Sequence, residues 1–211
     1  MFGNIYNKKK VLITGNTGFK GSWLSMWLLK LGAKVYGLSK DSLNRKLYES
    51  QNNKELDLIN QIDHYEKDVR DLDSAIKIVR DVKPDFVFHL AAQALVSVSY
   101  ANPIETMTTN IIGTTNILEA LKLSNHPCVG VFITSDKCYD NVEWEWGYKE
   151  TDALGGRDIY SGSKGAAEIV FKSYFHSFFN SDKSNVKVAT TRAGNVVGGG
   201  DWALDRIVPD C

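Results

Sequence analysis

The chain has 211 residues, 43% of them hydrophobic, enough for one sizeable core. Its 25 basic and 25 acidic residues cancel, so no basic excess points to nucleic acid. No apolar run is long enough to span a bilayer, and no signal-peptide core precedes the first glycine motif, so the cytoplasm is the expected location. Cys128, Cys138 and Cys211 are odd in number, far apart and not in metal-ligand spacing. His64, His89, His126 and His176 show no ligand spacing either, so packing or surface roles are expected and no metal.

Residues 1–9 read as a polar leader. Val11-Leu12-Ile13 follows as a short buried strand, then Gly15, Gly18 and Gly21, with a helical pattern beginning at once. Strand, glycine turn and helix N-terminus together form a cradle for the phosphates of a dinucleotide. Gly15 permits the tight turn, Gly18 lets the backbone approach a pyrophosphate, and Gly21 lets the helix lie close to the strand. The spacing is Gly-x-x-Gly-x-x-Gly rather than the commoner Gly-x-Gly-x-x-Gly, and the alternative is an ordinary strand-to-helix turn. The helix is predicted over Phe19–Leu31. Trp23, Trp27 and Leu31 sit four apart, beside Leu24 and Leu28, and are expected to face the core. Gly32 ends that helix.

Lys34–Ser39 is the second predicted strand. Asp41, near its end, is the acidic residue that would grip adenosine ribose hydroxyls; Lys40 beside it would suit a 2′-phosphate instead, and NAD is the favoured cofactor. Residues 42–62 are a polar connection without assignment. A third strand is predicted over His64–Val69, a helix over Leu72–Val82. Asp68 and Val69 then fall where an adenine edge can be read, and Asp71 or Asp73 can cap the helix. Pro84–Ala92 is a fourth strand, whose small terminal residues let the backbone lie close to a cofactor. A helix over Ile104–Leu123, a strand over Val129–Ile133, a long helix over Asp158–Phe179 and a strand over Val186–Thr191 complete the pattern. Alternating strands and helices predict an α/β fold: a Rossmann-type, doubly wound parallel sheet with helices on both faces. The expected division is a dinucleotide-binding domain over 1–191 and the start of a substrate-binding region over 192–211.

Tyr160 and Lys164 stand one helical turn apart, so an ammonium can sit near a phenol. A free phenol has a pKa of about 10, and a neighbouring cation favours its ionised form, making it a general base. Ser135 is placed at the carboxyl end of the fifth strand, where open α/β sheets bind ligands, and its hydroxyl can share a substrate proton with Tyr160. Asp136 and Lys137 follow it directly. A carboxyl and an amine at a strand end suggest acid–base work beyond simple dehydrogenation; the alternative is a capping carboxylate and a solvated amine.

Thr14–Gly21, the Tyr160/Lys164 pair and the alternating pattern resemble the extended short-chain dehydrogenase/reductase family, which includes NAD-dependent epimerases and dehydratases. Gly18–Leu24, Thr134–Tyr139, Glu143–Tyr148 and Arg192–Trp202 resemble its CDP-glucose 4,6-dehydratase branch more closely. The resemblance covers nearly the whole chain. It implies tightly held NAD, contacted by Gly15, Thr17, Gly18, Phe19, Lys20, Gly21, Asp41, Asp68, Val69, Leu90, Ala91, Ala92, Tyr160 and Lys164. It implies conversion of CDP-glucose to CDP-4-keto-6-deoxyglucose, by internal hydride transfer from C4 to C6 with loss of water, in deoxysugar synthesis for surface polysaccharide. Tyr160, Ser135 and Lys164 would oxidise C4, Asp136 would protonate the departing 6-hydroxyl, and Lys137 takes the position of the base at C5. Asn195 and Arg206 would meet the sugar nucleotide; Asn195 alone also reads as a turn residue. Trp144 and Trp146 would shape a substrate lid or anchor their loop. The resemblance also implies a smaller domain beyond Asp210, so an incomplete substrate site is expected. The competing readings are another sugar-nucleotide dehydratase or epimerase and a non-enzymatic dinucleotide-binding module. The helices over 104–123 and 158–179 carry apolar residues on more than one face, and the family implies that they form a homodimer interface.

Overall fold

The computed structural model describes residues 1–43, 59–203, 205 and 211. The strands are β1 (Lys10–Thr14), β2 (Lys34–Ser39), β3 (Asp63–Glu66), β4 (Phe86–His89), β5 (Cys128–Ile133) and β6 (Val186–Thr191). The helices are α1 (Phe19–Lys30), α2 (Leu72–Val82), α3 (Val96–Ala101), α4 (Pro103–Met107), α5 (Gly113–Ser124) and α6 (Ile159–Tyr174). The strands form one sheet in the order β3-β2-β1-β4-β5-β6, and every pairing is parallel. Strand order reverses between β1 and β4, which opens a crevice above their carboxyl ends.

The two-residue strand period sorts β1 between two cores. Leu12 faces one cluster, with Ala75, Ile78 and Val79 of α2, Ile117, Leu118 and Leu121 of α5 and Phe171 of α6. Val11 and Ile13 face the other, with Met26, Leu28 and Leu29 of α1. Helices therefore cover both faces, as the alternating pattern requires.

Several boundaries differ from the sequence reading, those of the strands for a pairing reason. β3 stops at Glu66 because its partner β2 ends opposite it at Ser39. β4 stops at His89, opposite Thr14, beyond which Gly15 turns away. The predicted helix over 104–123 is α4 and α5 joined through a π-helical turn at Thr108–Ile112. The long helix continues past α6 in a second π-helical turn, Phe175–Phe179. Helix α3 escaped prediction because Val96-Ser97-Val98-Ser99 alternates with a period of two. The connection expected over 42–62 lies largely outside the described residues.

The tryptophans of α1 correct an expectation. The side of α1 facing the sheet is Gly21, Ser22, Ser25, Met26, Leu28 and Leu29. A Cβ at position 21 would stand 2.0 Å from the Gly15 carbonyl oxygen, so helix and turn approach too closely for a large side chain. Trp23 and Trp27 are displaced outward and remain 41% and 47% exposed. Trp23 Nε1 donates to the Gly199 carbonyl at 2.9 Å, and the Trp27 ring meets Phe2 edge-on. Gly32 closes α1 as read: at φ +82° it donates to the Leu29 carbonyl, while Ala33 reaches back to Leu28.

A buried ion pair ties α6 to the edge of the sheet. Glu168 is 4% exposed and accepts from Arg192 Nη2 at 2.9 Å, from Thr134 Oγ1 at 2.5 Å and from Thr190 Oγ1 at 3.3 Å. Arg192 also lies over the Tyr139 ring, 4.8 Å from its centroid, and its ionised state is reinforced first by the hydrogen bond to Glu168. Replacing Arg192 with Met would leave a buried carboxylate without its counter-charge. Stability to urea should fall by about 3–5 kcal/mol, whereas replacing both Glu168 and Arg192 by apolar residues should lose less.

Candidate active site

The glycine turn has the expected geometry. Gly15 sits at φ +73°, and a Cβ there would stand 2.8 Å from the backbone nitrogen of Ala91, so only glycine fits between β1 and the end of β4. Gly18 is the N-cap of α1; a Cβ on it would meet only the Gly15 carbonyl oxygen, at 3.3 Å, and its other side is open. No side chain caps α1 and its first turn holds Lys20 but no carboxylate, a field that suits a diphosphate. Thr17 Oγ1 bonds Ser39 Oγ at 2.6 Å and fastens the turn to β2.

A cavity of about 680 Å³ opens beside this turn, above the carboxyl ends of the sheet. Phe19, Lys20, Leu90 and Ala92 line one side, Ser135, Lys137, Tyr160 and Lys164 another, and Asn195 with the following glycine-rich segment roofs it. Residues 192–203 run from β6, where the Ala193 carbonyl accepts from Asp136 N, to α1, where Gly199 meets Trp23.

Within the cavity, Lys164 Nζ lies 6.0 Å from the centre of the Tyr160 ring, so the helical spacing does bring ammonium and phenol together. Lys164 is buried, and burial, aided by the charge of Lys20, lowers its pKa to about 8. At neutral pH it therefore still bears its charge beside the phenol. Ser135 caps the 3₁₀ turn Asp136–Cys138: its hydroxyl donates to Asp136 Oδ1 at 2.9 Å and accepts from Lys137 N at 3.3 Å. Asp136 and Lys137 are both exposed.

Other expected residues lie away from this cavity. Asp41 is exposed, and its carbonyl oxygen meets His64 Nε2 at 3.0 Å. Asp68 pairs with Arg70 at 2.6 Å, and the Val69 side chain points into the core. Of the two candidate caps for α2, Asp71 performs the role, accepting from Ser74 N. Arg206 lies outside the described residues. Trp144 is anchored through Tyr148, which stacks on Tyr139, while Trp146 is 77% exposed. Among the described residues no cluster could hold a metal ion.

Two buried polar groups escaped the sequence reading, and a third, His89, was read only as a packing or surface residue. Asn110, in the π-helical turn, donates to Ser163 Oγ at 2.8 Å and to the Gln93 carbonyl at 3.1 Å, and its oxygen accepts from Gln93 N at 2.9 Å. It thereby fixes both the loop after β4 and the first turns of α6. Glu168 is the other. A carboxylate four residues after Lys164 was the available signal for Glu168; Asn110, among several threonines and a second amide at Asn116, carried none.

Burial of Lys164 carries a pH signature. Between pH 8 and 10.5 the folded chain has released this proton while the unfolded chain retains it, so stability contributed at this site rises with pH. Relative to Lys164→Met, the wild type should gain roughly 3 kcal/mol across that window, measured by urea unfolding at each pH.

Comparison with known proteins agrees with this geometry. The profile of the GDP-mannose 4,6 dehydratase family matches residues 12–195. The chain is 46% identical over 211 residues to the CDP-glucose 4,6-dehydratase of Salmonella typhimurium, covering 98% of this chain and 57% of that protein. An epimerase structure from Methanothermobacter thermautotrophicus matches with a TM-score of 0.80 at 27% identity, covering 98% of this chain and 58% of its own. A UDP-glucose 4-epimerase from Thermus thermophilus, solved in complex with NAD, matches with a TM-score of 0.69 at 26% identity, covering 87% and 54%. The chain thus spans little more than half the length of these relatives. With the glycine turn, the buried ammonium beside its phenol and a profile match across most of its length, this chain belongs to the GDP-mannose 4,6 dehydratase family.

Proposed function

We propose that the chain forms the cofactor half of a sugar-nucleotide 4,6-dehydratase that converts CDP-glucose to CDP-4-keto-6-deoxyglucose. One observation carries this reading: Ser135, Lys137, Tyr160 and Lys164 line a single cavity beside the glycine turn. The 46% identity to a CDP-glucose 4,6-dehydratase supports the choice of nucleotide.

Gly15, Thr17, Gly18, Phe19, Lys20 and Gly21 would hold NAD at the turn, where the cofactor would supply a reversible two-electron carrier, taking hydride from C4 and giving it back at C6 after water has left. Leu90, Ala91 and Ala92 would line its site, and Asp41, Asp68 and Val69 would meet its adenosine end. Lys40 pairs with Glu105 at 3.1 Å, and we read the cofactor as NAD rather than NADP. Tyr160 takes the proton of the glucose 4-hydroxyl, and Lys164 lowers the cost of the phenolate. Ser135 shares that proton and also orients Asp136. Once C4 is a ketone, Lys137 removes the acidified C5 proton and Asp136 protonates the departing 6-hydroxyl, which leaves as water. Lys137 can act so only in its neutral form. Asn195 and Arg206 contact the sugar nucleotide.

The product suits deoxysugar synthesis for lipopolysaccharide and other surface polysaccharides, a cytoplasmic task. No helix among the described residues is long and apolar enough to cross a membrane. We further infer a homodimer through the α4–α5 and α6 helices: Ile104, Ile112, Leu123, Ile169 and Phe178 are all at least 46% exposed on them.

The substrate assignment is tested by offering CDP-, dTDP- and UDP-glucose with NAD, both to the 211-residue chain and to the chain extended along its reading frame. Alkali-sensitive absorbance of a 4-keto sugar is expected with CDP-glucose; a signal with another nucleotide alone would overturn the assignment. In the active form Asp136→Asn should slow water loss by about 10²-fold or more while C4 oxidation persists. Sedimentation should give twice the chain mass, and Ile169→Lys should halve it without loss of helical circular dichroism.

A further inference from the structure

His89 is the last residue of β4 and is 3% exposed. Its two ring nitrogens face two threonines: Nδ1 lies 2.7 Å from Thr14 Oγ1, and Nε2 lies 3.2 Å from Thr114 Oγ1. A hydroxyl has one proton to give. That of Thr114 goes to the Asn110 carbonyl at 2.7 Å, so Thr114 must accept, and Nε2 must carry hydrogen. On the other side, Thr14 Oγ1 accepts from Ala91 N at 3.2 Å and has its own proton left for Nδ1. One assignment satisfies every atom: a neutral imidazole with hydrogen on Nε2. Burial, reinforced by the positive charge of Lys164, lowers the imidazole pKa to about 3, so the ring is neutral at neutral pH.

The run of bonds continues past Thr114. Asn110 takes the Thr114 proton on its main-chain carbonyl and donates its side-chain amide to Ser163 Oγ, which donates to the Tyr160 carbonyl at 2.6 Å. The run therefore starts at Thr14, the residue before Gly15, and ends on the main chain of Tyr160. It crosses β1, β4, α5, the π-helical turn and α6. The π-helical turn belongs to this arrangement, since it is where the Asn110 side chain meets Ser163.

We propose that His89 is a positioning residue that couples the glycine turn to the tyrosine-bearing end of α6, holding Thr14 with one ring nitrogen and Thr114 with the other. The proposal rests on the reading that the turn takes NAD and that Tyr160 works beside it. Filling the turn then steadies the first turns of α6, and by reciprocity an ordered α6 favours a filled turn.

The test uses the ligand-free and the NAD-bound chain. Nitrogen-15 spectra of ligand-free protein should show His89 protonated on Nε2 only; the Nδ1–H tautomer or an imidazolium overturns the proposal. In the same state Thr114→Val should shift the amide resonances of Asn110, Ser163 and Tyr160, and an unchanged Tyr160 resonance counts against the relay. NAD binding, followed by tryptophan fluorescence, should slow hydrogen exchange at residues 160–164 about 5-fold or more in the wild type and in Thr114→Ser. In Thr114→Val and in His89→Phe, which retains a ring against Phe132, NAD should still bind while that slowing disappears. A purely structural role would lower the melting temperature of both variants and leave the slowing intact, and that result overturns the proposal. If the wild type itself fails to bind NAD, the proposed function falls, and the ligand-free spectra alone decide the relay.

Discussion

The contact between Glu168 and Arg192 is the constraint on which the site depends. A helix carrying Tyr160 and Lys164 has to be held at one height above the carboxyl edge of a parallel sheet. Apolar packing of Phe171 against Phe132 sets the distance but tolerates sliding along the helix axis. The buried carboxylate does not, because Thr134, Thr190 and Arg192 each bond to it. Thr134 adjoins Ser135, and Arg192 lies over Tyr139. One side chain thereby sets the relative positions of the helix, the serine strand end and the aromatic loop. Such a pair is expensive to desolvate and contributes little net stability, but breaking half of it is costly, which makes it a good register pin.

Charge elsewhere in the site is arranged for reactivity. The chain as a whole is neutral, yet Lys20 stands close enough to Lys164 to disfavour its charge, and Lys137 lines the same cavity. An uncapped helix start adds to the positive field. The field favours a diphosphate at one end of the cavity and a phenolate at the other. His89 lies beside Lys164 and is kept uncharged, so its polar contacts can transmit geometry without adding to the repulsion.

The placement of large apolar side chains follows from the same close approaches. Gly21 brings α1 against the Gly15 turn and leaves no room for indole rings beneath the helix. Trp23 is turned outward and instead holds the Gly199 segment that roofs the cavity. Ile169 on α6 and Phe178 in the π-helical turn after it are exposed, whereas Phe171 and Phe179 are buried, so apolar side chains do lie on more than one face of this stretch.

The sequence by itself determined the alternation of strands and helices, the glycine turn, the capping of α1 by Gly32 and the shared face of Tyr160 and Lys164. Each of these is local: residues within about one turn or one strand of each other, governed by periodicity or by a glycine that backbone geometry demands. Tertiary structure alone decided where strands stop, since that depends on a partner's length, and which face of α1 is buried, since that depends on a gap between elements. It alone also decided the buried polar run through Thr14, His89, Thr114, Asn110 and Ser163, whose members are scattered over most of the chain and carry no common period. Their significance arises only when five elements meet, because a buried donor has to find its acceptor wherever the fold supplies one.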